Sequence, residues 1–153
     1  MEELKIRPIE DGTVIDHIPQ GQALNVLRVL GVDSSTREVV SVAMNVPSDA
    51  MGRKDIVKVE DREIGSKEAD IIALIAPEAT VNVVRDFEVR EKYDVSMPDE
   101  IHGVLSCPNP NCVTNTPEPV ETAFDVRDTG EGTEMRCGYC GTVVTEEIAE
   151  RLV

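Results

Sequence analysis

Apolar and polar residues alternate along Leu4–Ile9, and a turn signal, Asp11-Gly12, separates that stretch from the β-branched run Thr13–Ile18. Both runs read as strands. Gln20–Leu30 then changes period. Ala23, Leu24, Leu27 and Leu30 recur at helical spacing, and Gly31 stands where a helix commonly ends in a left-handed residue. Glu38–Val46 alternates again and is closed by Pro47-Ser48-Asp49; Asp55–Val59 is a further strand in which Ile56 is less clearly placed. Ser66 is placed to cap a helix reaching about Ala76, with Glu68 and Asp70 in its first turn and Pro77 as its stop. Thr80–Val84 and Phe87–Val89 complete the first part as two short strands. From Thr13 to Val84 the order strand, helix, strand, strand, helix, strand is that of a ferredoxin-like βαββαβ domain, with helices on one face of an antiparallel sheet. The fold class is therefore α+β.

Ser96-Met97-Pro98-Asp99 reads as a linker. It divides residues 1–97 from residues 98–153, where the composition shifts to Pro, Gly, Thr and all four cysteines. Val120–Val126 is a strand, Asp128–Thr133 a Gly-rich turn, and Thr145 a cap for a last helical turn with Glu146 and Glu147 at its start and Arg151 at its end. The second domain is expected to be small, all-β and zinc-ribbon-like.

Its cysteines follow the frame Cys107-x4-Cys112-x24-Cys137-x2-Cys140. Two close pairs separated by a hairpin-length loop suit a tetrahedral Zn²⁺, each pair aiming two thiolates at one point. In Cys137-Gly-Tyr-Cys140-Gly141 the glycines let the backbone turn and are expected to donate N–H groups to the sulfurs; in Cys107-Pro-Asn-Pro-Asn-Cys112 prolines preset the turn. Four sulfurs leave no open position for water, which makes the metal structural, one per chain. Two disulfides are the competing reading, and a reducing compartment disfavours them.

Charge narrows the function. The chain carries 30 acidic residues against 15 Lys and Arg, a formal net charge of -15. Residues 101–153 alone hold nine acids and three bases, so nucleic-acid phosphates are poor partners. The acid excess is diffuse and lysine is limited to Lys5, Lys54, Lys58, Lys67 and Lys92, a surface suited to a salt-rich, halophilic cytoplasm. Neither a membrane-spanning apolar run nor an apolar signal core is visible, and a cytoplasmic location is expected. A nucleophile elbow, a P-loop and an HExxH motif are also missing, and Tyr93, Asp94 and Asp99 form no catalytic set.

Several segments carry a resemblance: Gly12-Thr-Val-Ile-Asp-His-Ile-Pro19, Asn45-Val-Pro-Ser48, Met51-Gly-Arg-Lys-Asp55, Ala76-Pro-Glu-Ala-Thr-Val-Asn82 and Cys107-Pro-Asn-Pro-Asn-Cys112. In these, and in the four-cysteine frame, the chain resembles the regulatory chains of aspartate carbamoyltransferase from end to end. The resemblance implies a non-catalytic subunit with an N-terminal allosteric domain that binds the nucleotide effectors ATP and CTP, and a C-terminal zinc domain that holds the catalytic chain. It also implies a homodimer of regulatory chains and a role in controlling pyrimidine biosynthesis.

Residue by residue, it implies that Asp16 accepts from the ribose and that His17 donates to ribose or phosphate oxygens. Lys92 then meets the sugar and phosphates, Lys58 is another effector-binding lysine, Lys54 serves a second phosphate or a bound Mg²⁺–nucleotide, and Asn82 lies near the phosphates. Ile9 and Val89 flank the base. Independently, a triphosphate in so acidic a chain requires local cations, and three of its five lysines fall in or beside these segments. Glu91 is expected to add a negative charge beside the phosphate position. A zinc-ribbon adaptor is the alternative function that the cysteine frame alone would allow, and a small-molecule enzyme on a ferredoxin-like scaffold is a third.

Overall fold

The computed structural model describes residues 9–117, 120–129, 133–145 and 148–151. Two compact units divide between Ser96 and Met97. The first holds β1 (Gly12–Pro19), α1 (Ala23–Val29), β2 (Val40–Ser48), β3 (Gly52–Glu60), α2 (Ser66–Ile75), β4 (Thr80–Arg85) and β5 (Glu88–Asp94). Its sheet runs β2-β3-β1-β4-β5, every neighbour antiparallel. Without β5 this is the expected ferredoxin-like order; β5 extends it as a hairpin on β4. Of the expected first strand Leu4–Ile9, all but Ile9 lies outside the described residues.

Alternation decides which side of the sheet is core. Ile15, Ile18, Val57, Val59, Val81 and Val83 point to the side covered by α1 and α2, where Val26, Leu30, Ile72 and Leu74 meet them. Val14, Asp16, Lys58 and Asn82, on the opposite side, are only half-buried. That open face is where chemistry can occur.

Several boundaries differ from the sequence expectation, each for a local reason. Helix α1 starts at Ala23 because Pro19–Gln22 closes a turn, with Gly21 at φ +89°. Leu24, expected in the core stripe, is 62% exposed; the buried stripe is Ala23, Val26 and Leu30. Gly31 does end the helix: its N–H donates to the Arg28 carbonyl and that of Val32 to Leu27, a Schellman closure. Gly65 rather than Ser66 caps α2, with Glu68 accepting from the Gly65 N–H at 3.4 Å. Phe87 belongs to a two-residue turn with Asp86, at φ +65° and +53°, and β5 continues to Asp94. As an edge strand exposed along its whole length, β5 carries charges on both faces, which hides its alternation.

The second unit is a four-stranded antiparallel sheet, β6 (Glu100–His102), β7 (Ala123–Asp128), β8 (Thr133–Cys137) and β9 (Val143–Val144), in that spatial order. Two 3₁₀ turns, Val113–Asn115 and Ile148–Arg151, flank it. Glu146 and Glu147 lie outside the described residues. Its apolar core is short: Ile101, Leu105, Phe124, Met135 and Val144 are its main members. Among the described residues no helix is long and apolar enough to cross a membrane.

Candidate metal centre and ligand face

The four cysteines converge. Cys107 Sγ lies 3.5 Å from Cys140 Sγ, Cys112 Sγ lies 3.8 Å from Cys137 Sγ, and all four sulfurs fall within 4.8 Å of one another. A tetrahedral ion with metal–sulfur bonds of about 2.3 Å needs sulfur–sulfur edges of about 3.8 Å. A disulfide needs about 2.05 Å. The donor set thus fits a metal cage, and all four cysteines are free thiols.

Local turns build the cage. Asn109 Oδ1 accepts from the Asn111 N–H, and the Cys112 N–H donates to the Asn109 carbonyl. Asn115 Nδ2 donates to the carbonyls of both Cys107 and Asn109, stapling the first knuckle. In the second, Cys137 ends β8 and Gly141, at φ +78°, returns its N–H to the Cys137 carbonyl. The N–H donors to sulfur are not the knuckle glycines: Gly138 donates to the Ala123 carbonyl instead. They come from the residue two places after a cysteine, namely Asn109, Thr114 and Thr142. Sequence reading missed Thr114, Asn115 and Thr142, although all sit within three residues of a ligand cysteine.

These donors divide the thiols. The Thr142 hydroxyl, 3.1 Å from Cys140 Sγ, and the Thr142 N–H lower that thiol to about 6. Thr114 likewise pulls Cys112 down. Burial drives Cys107 up to about 12, so a metal must displace its proton.

On the first unit's open face, strand register assembles residues distant in sequence. Lys58 of β3 pairs with Val14 of β1, Val14 with Asn82 of β4, and Asn82 with Lys92 of β5. Directly paired residues share a face, so this row carries two cations about 14 Å apart at the backbone. Asn82 Nδ2 also donates to the Val14 carbonyl at 3.3 Å. Glu91 pairs with Val83 and so points to the opposite side from Lys92, not beside it.

The next row holds Asp16, paired with Thr80. Here β1 bulges: Ile15 pairs with Val57 and Ile18 with Asp55, leaving Asp16 and His17 against Ile56 alone. With His17 at φ +58°, the bulge lets two consecutive residues act near one place. The imidazole Nδ1 lies 3.0 Å from Thr80 Oγ1, and the Asp16 carboxylate accepts from the His17 N–H at 2.6 Å and pairs with Lys54 at 3.0 Å. Lys54 is therefore tied to an acid in this state. At the other end Val84 pairs with Val89 after a second irregularity, and Ile9 is buried. Thr80 and Val84 are face residues the sequence reading did not select; their even spacing from Asn82 along β4 was the available signal.

A half-open sheet face with spaced cations, an acid–histidine bulge and an apolar end in one unit, and in the other four thiols spaced to hold a metal ion, define a two-unit protein with a candidate ligand face and a candidate metal centre. Comparison with known proteins makes this specific. The profile for the aspartate carbamoyltransferase regulatory chain, allosteric domain, matches residues 4–96, and that for its metal binding domain matches residues 99–150. The regulatory chain of Natronomonas pharaonis is 55% identical over 150 residues, covering 98% of this chain and 95% of that protein. Those of Methanothrix thermoacetophila (55%; 99% and 97%) and Haloarcula marismortui (49%; 99% and 96%) match equally widely. The chain belongs to the aspartate carbamoyltransferase regulatory chain family, as a regulatory, non-catalytic subunit.

Proposed function

We propose that this chain binds ATP and CTP at one shared site on the open face of its first unit and relays their competition to an aspartate carbamoyltransferase catalytic chain, controlling pyrimidine biosynthesis. The observation that carries this reading is the row Lys58–Val14–Asn82–Lys92 beside the Asp16–His17 bulge. The lysines meet the triphosphate, Asp16 accepts from the ribose, and Ile9, Val84 and Val89 offer apolar surface to the base. Lys54 exchanges part of its contact with Asp16 for a phosphate. The cysteine cage holds one Zn²⁺, for which a four-sulfur set of this size is the usual host.

The second unit is the grip on the catalytic chain, its surface near Cys107–Asn115 and Gly138–Val143 ordered by the metal. Regulatory chains pair through the first unit. In support, β2 is an edge strand of nine residues, flanked by the exposed Val39 and bearing the exposed Val42 and Met44. Relatives from halophilic archaea fit an acidic surface adapted to a salt-rich cytoplasm. A zinc-ribbon adaptor gripping nucleic acid is disfavoured by the acid excess of the second unit.

Calorimetric titration of the full chain tests the site. ATP and CTP should compete for one site, and Lys92→Ala should weaken both on the order of tenfold to a hundredfold, the scale of one charge-assisted hydrogen bond. Equal affinity in the two proteins removes Lys92 from the site; no binding by the wild type, even within the assembled complex, removes the allosteric role.

A further inference from the structure

Asp55 is a fully buried acid that no ligand on the open face can touch. Its neighbours reverse the expected pattern: charged Asp55 faces the helices, and apolar Ile56 is half-exposed. Both strands beside β3 are irregular at this level. In β1, Asp16 and His17 oppose Ile56; in β2, Ala43 pairs with Ile56 and Val46 with Lys54, so Met44 and Asn45 oppose Asp55. Each irregularity contains a non-glycine residue in the left-handed region, His17 at φ +58° and Asn45 at φ +62°. Such backbone persists only where its surroundings hold it.

Asp55 supplies that hold. Its Oδ1 accepts from the Asn45 N–H at 3.0 Å, an amide within the β2 bulge. Its Oδ2 accepts from the Gly21 and Ala23 N–H groups at 2.9 and 3.1 Å, fixing the turn from β1 into α1, while Ile18, paired with Asp55, closes the β1 bulge. Lys54, the preceding residue, lies on the open face against Asp16. We infer that Asp55 is a positioning residue: it sets the β1 bulge, and so the placement of Asp16, His17 and Lys54, and ties that placement to edge strand β2. This rests on the nucleotide reading above and deepens it, since it assigns ribose discrimination to a residue outside the site.

The test is Asp55→Asn in the full chain, titrated with ATP and with 2′,3′-dideoxy-ATP, which lacks the ribose hydroxyls. The amide replaces an acceptor oxygen with a donor and must lose at least one of the two arms. Wild type should prefer ATP, and Asp55→Asn should weaken both compounds through Lys54 and His17 but ATP by about tenfold more, collapsing the preference. The core variant Ile72→Val lowers stability without moving the ratio.

An unchanged ratio in folded Asp55→Asn, or no preference in a wild type that binds ATP, overturns the inference. No ATP binding at all overturns the nucleotide reading itself. Should Asp55→Asn not fold, amide hydrogen exchange of the wild type decides. ATP should slow exchange at Asn45, Gly21 and Ala23, because stabilising the bulge stabilises its anchor reciprocally; unchanged exchange there contradicts the coupling.

Discussion

The two units solve the problem of holding a site in opposite ways. In the first, a continuous aliphatic core from Ile15 to Val83 supports the sheet, and the proposed ligand face is its other side. Side chains there can change without costing the fold. In the second, Phe124 and a few aliphatic neighbours are too small a core for a unit of this length, and Cys107, Cys112 and Cys137 are themselves buried members of it. There the site is the scaffold. Loss of ligand residues should therefore cost affinity in one unit and structure in the other.

The largest effect expected is on the second unit. Cys112→Ser should lose most of the metal affinity and unfold residues 97–153, while the first unit keeps its cooperative transition and still binds nucleotide. Two thermal transitions in the wild type reduced to one in the variant would show this in calorimetry. A variant that loses both together would mean that the units do not differ in this way. Lys92→Ala is the matching change in the first unit, and its expected cost is confined to affinity, with zinc content and melting unchanged.

A smaller effect sharpens the chemistry of the cage. Cys140 sits well below an ordinary thiol, at about 6, so the stabilisation of its thiolate is present above the ordinary value and lost as pH falls through about 6. Cys107, raised to about 12, is a thiol across the neutral range and releases a proton to the metal throughout. Zinc affinity, measured by chelator competition, should fall with falling pH at every point, and more steeply below pH 6 than between 6 and 8. A slope that does not change through pH 6 would contradict the role given to Thr142.

How much of this was legible in the sequence follows from the range of the interactions. The cysteine frame is made of two turns, Cys107–Cys112 and Cys137–Cys140, so its spacing alone announced a four-sulfur site; Thr114 and Thr142 escaped because hydroxyls near cysteines carry no distinctive pattern. The ligand face draws on four strands. Lys58, Asn82 and Lys92 were selected through family resemblance, and only register puts them in one row. Register also moved Glu91 away from Lys92. The β1 bulge left a trace that was not used: Ile15 and Ile18, both core residues, stand three apart with Asp16 and His17 between them, where alternation spaces core residues by two. The uncertain placement of Ile56 was a real signal: a charge buried and an apolar residue half-exposed mark the point where local pattern yields to the site.

The central claim is that this chain joins nucleotide binding to a catalytic partner through a metal-built unit. The most direct measurement mixes the zinc-loaded chain with an aspartate carbamoyltransferase catalytic chain and records aspartate saturation alone, with ATP and with CTP. The account predicts a larger complex by sizing, a saturation curve that each nucleotide shifts, and loss of both shifts when a chelator removes the zinc and frees an active catalytic oligomer. Superimposable curves from an assembled complex, or a complex that survives metal removal intact, would contradict it.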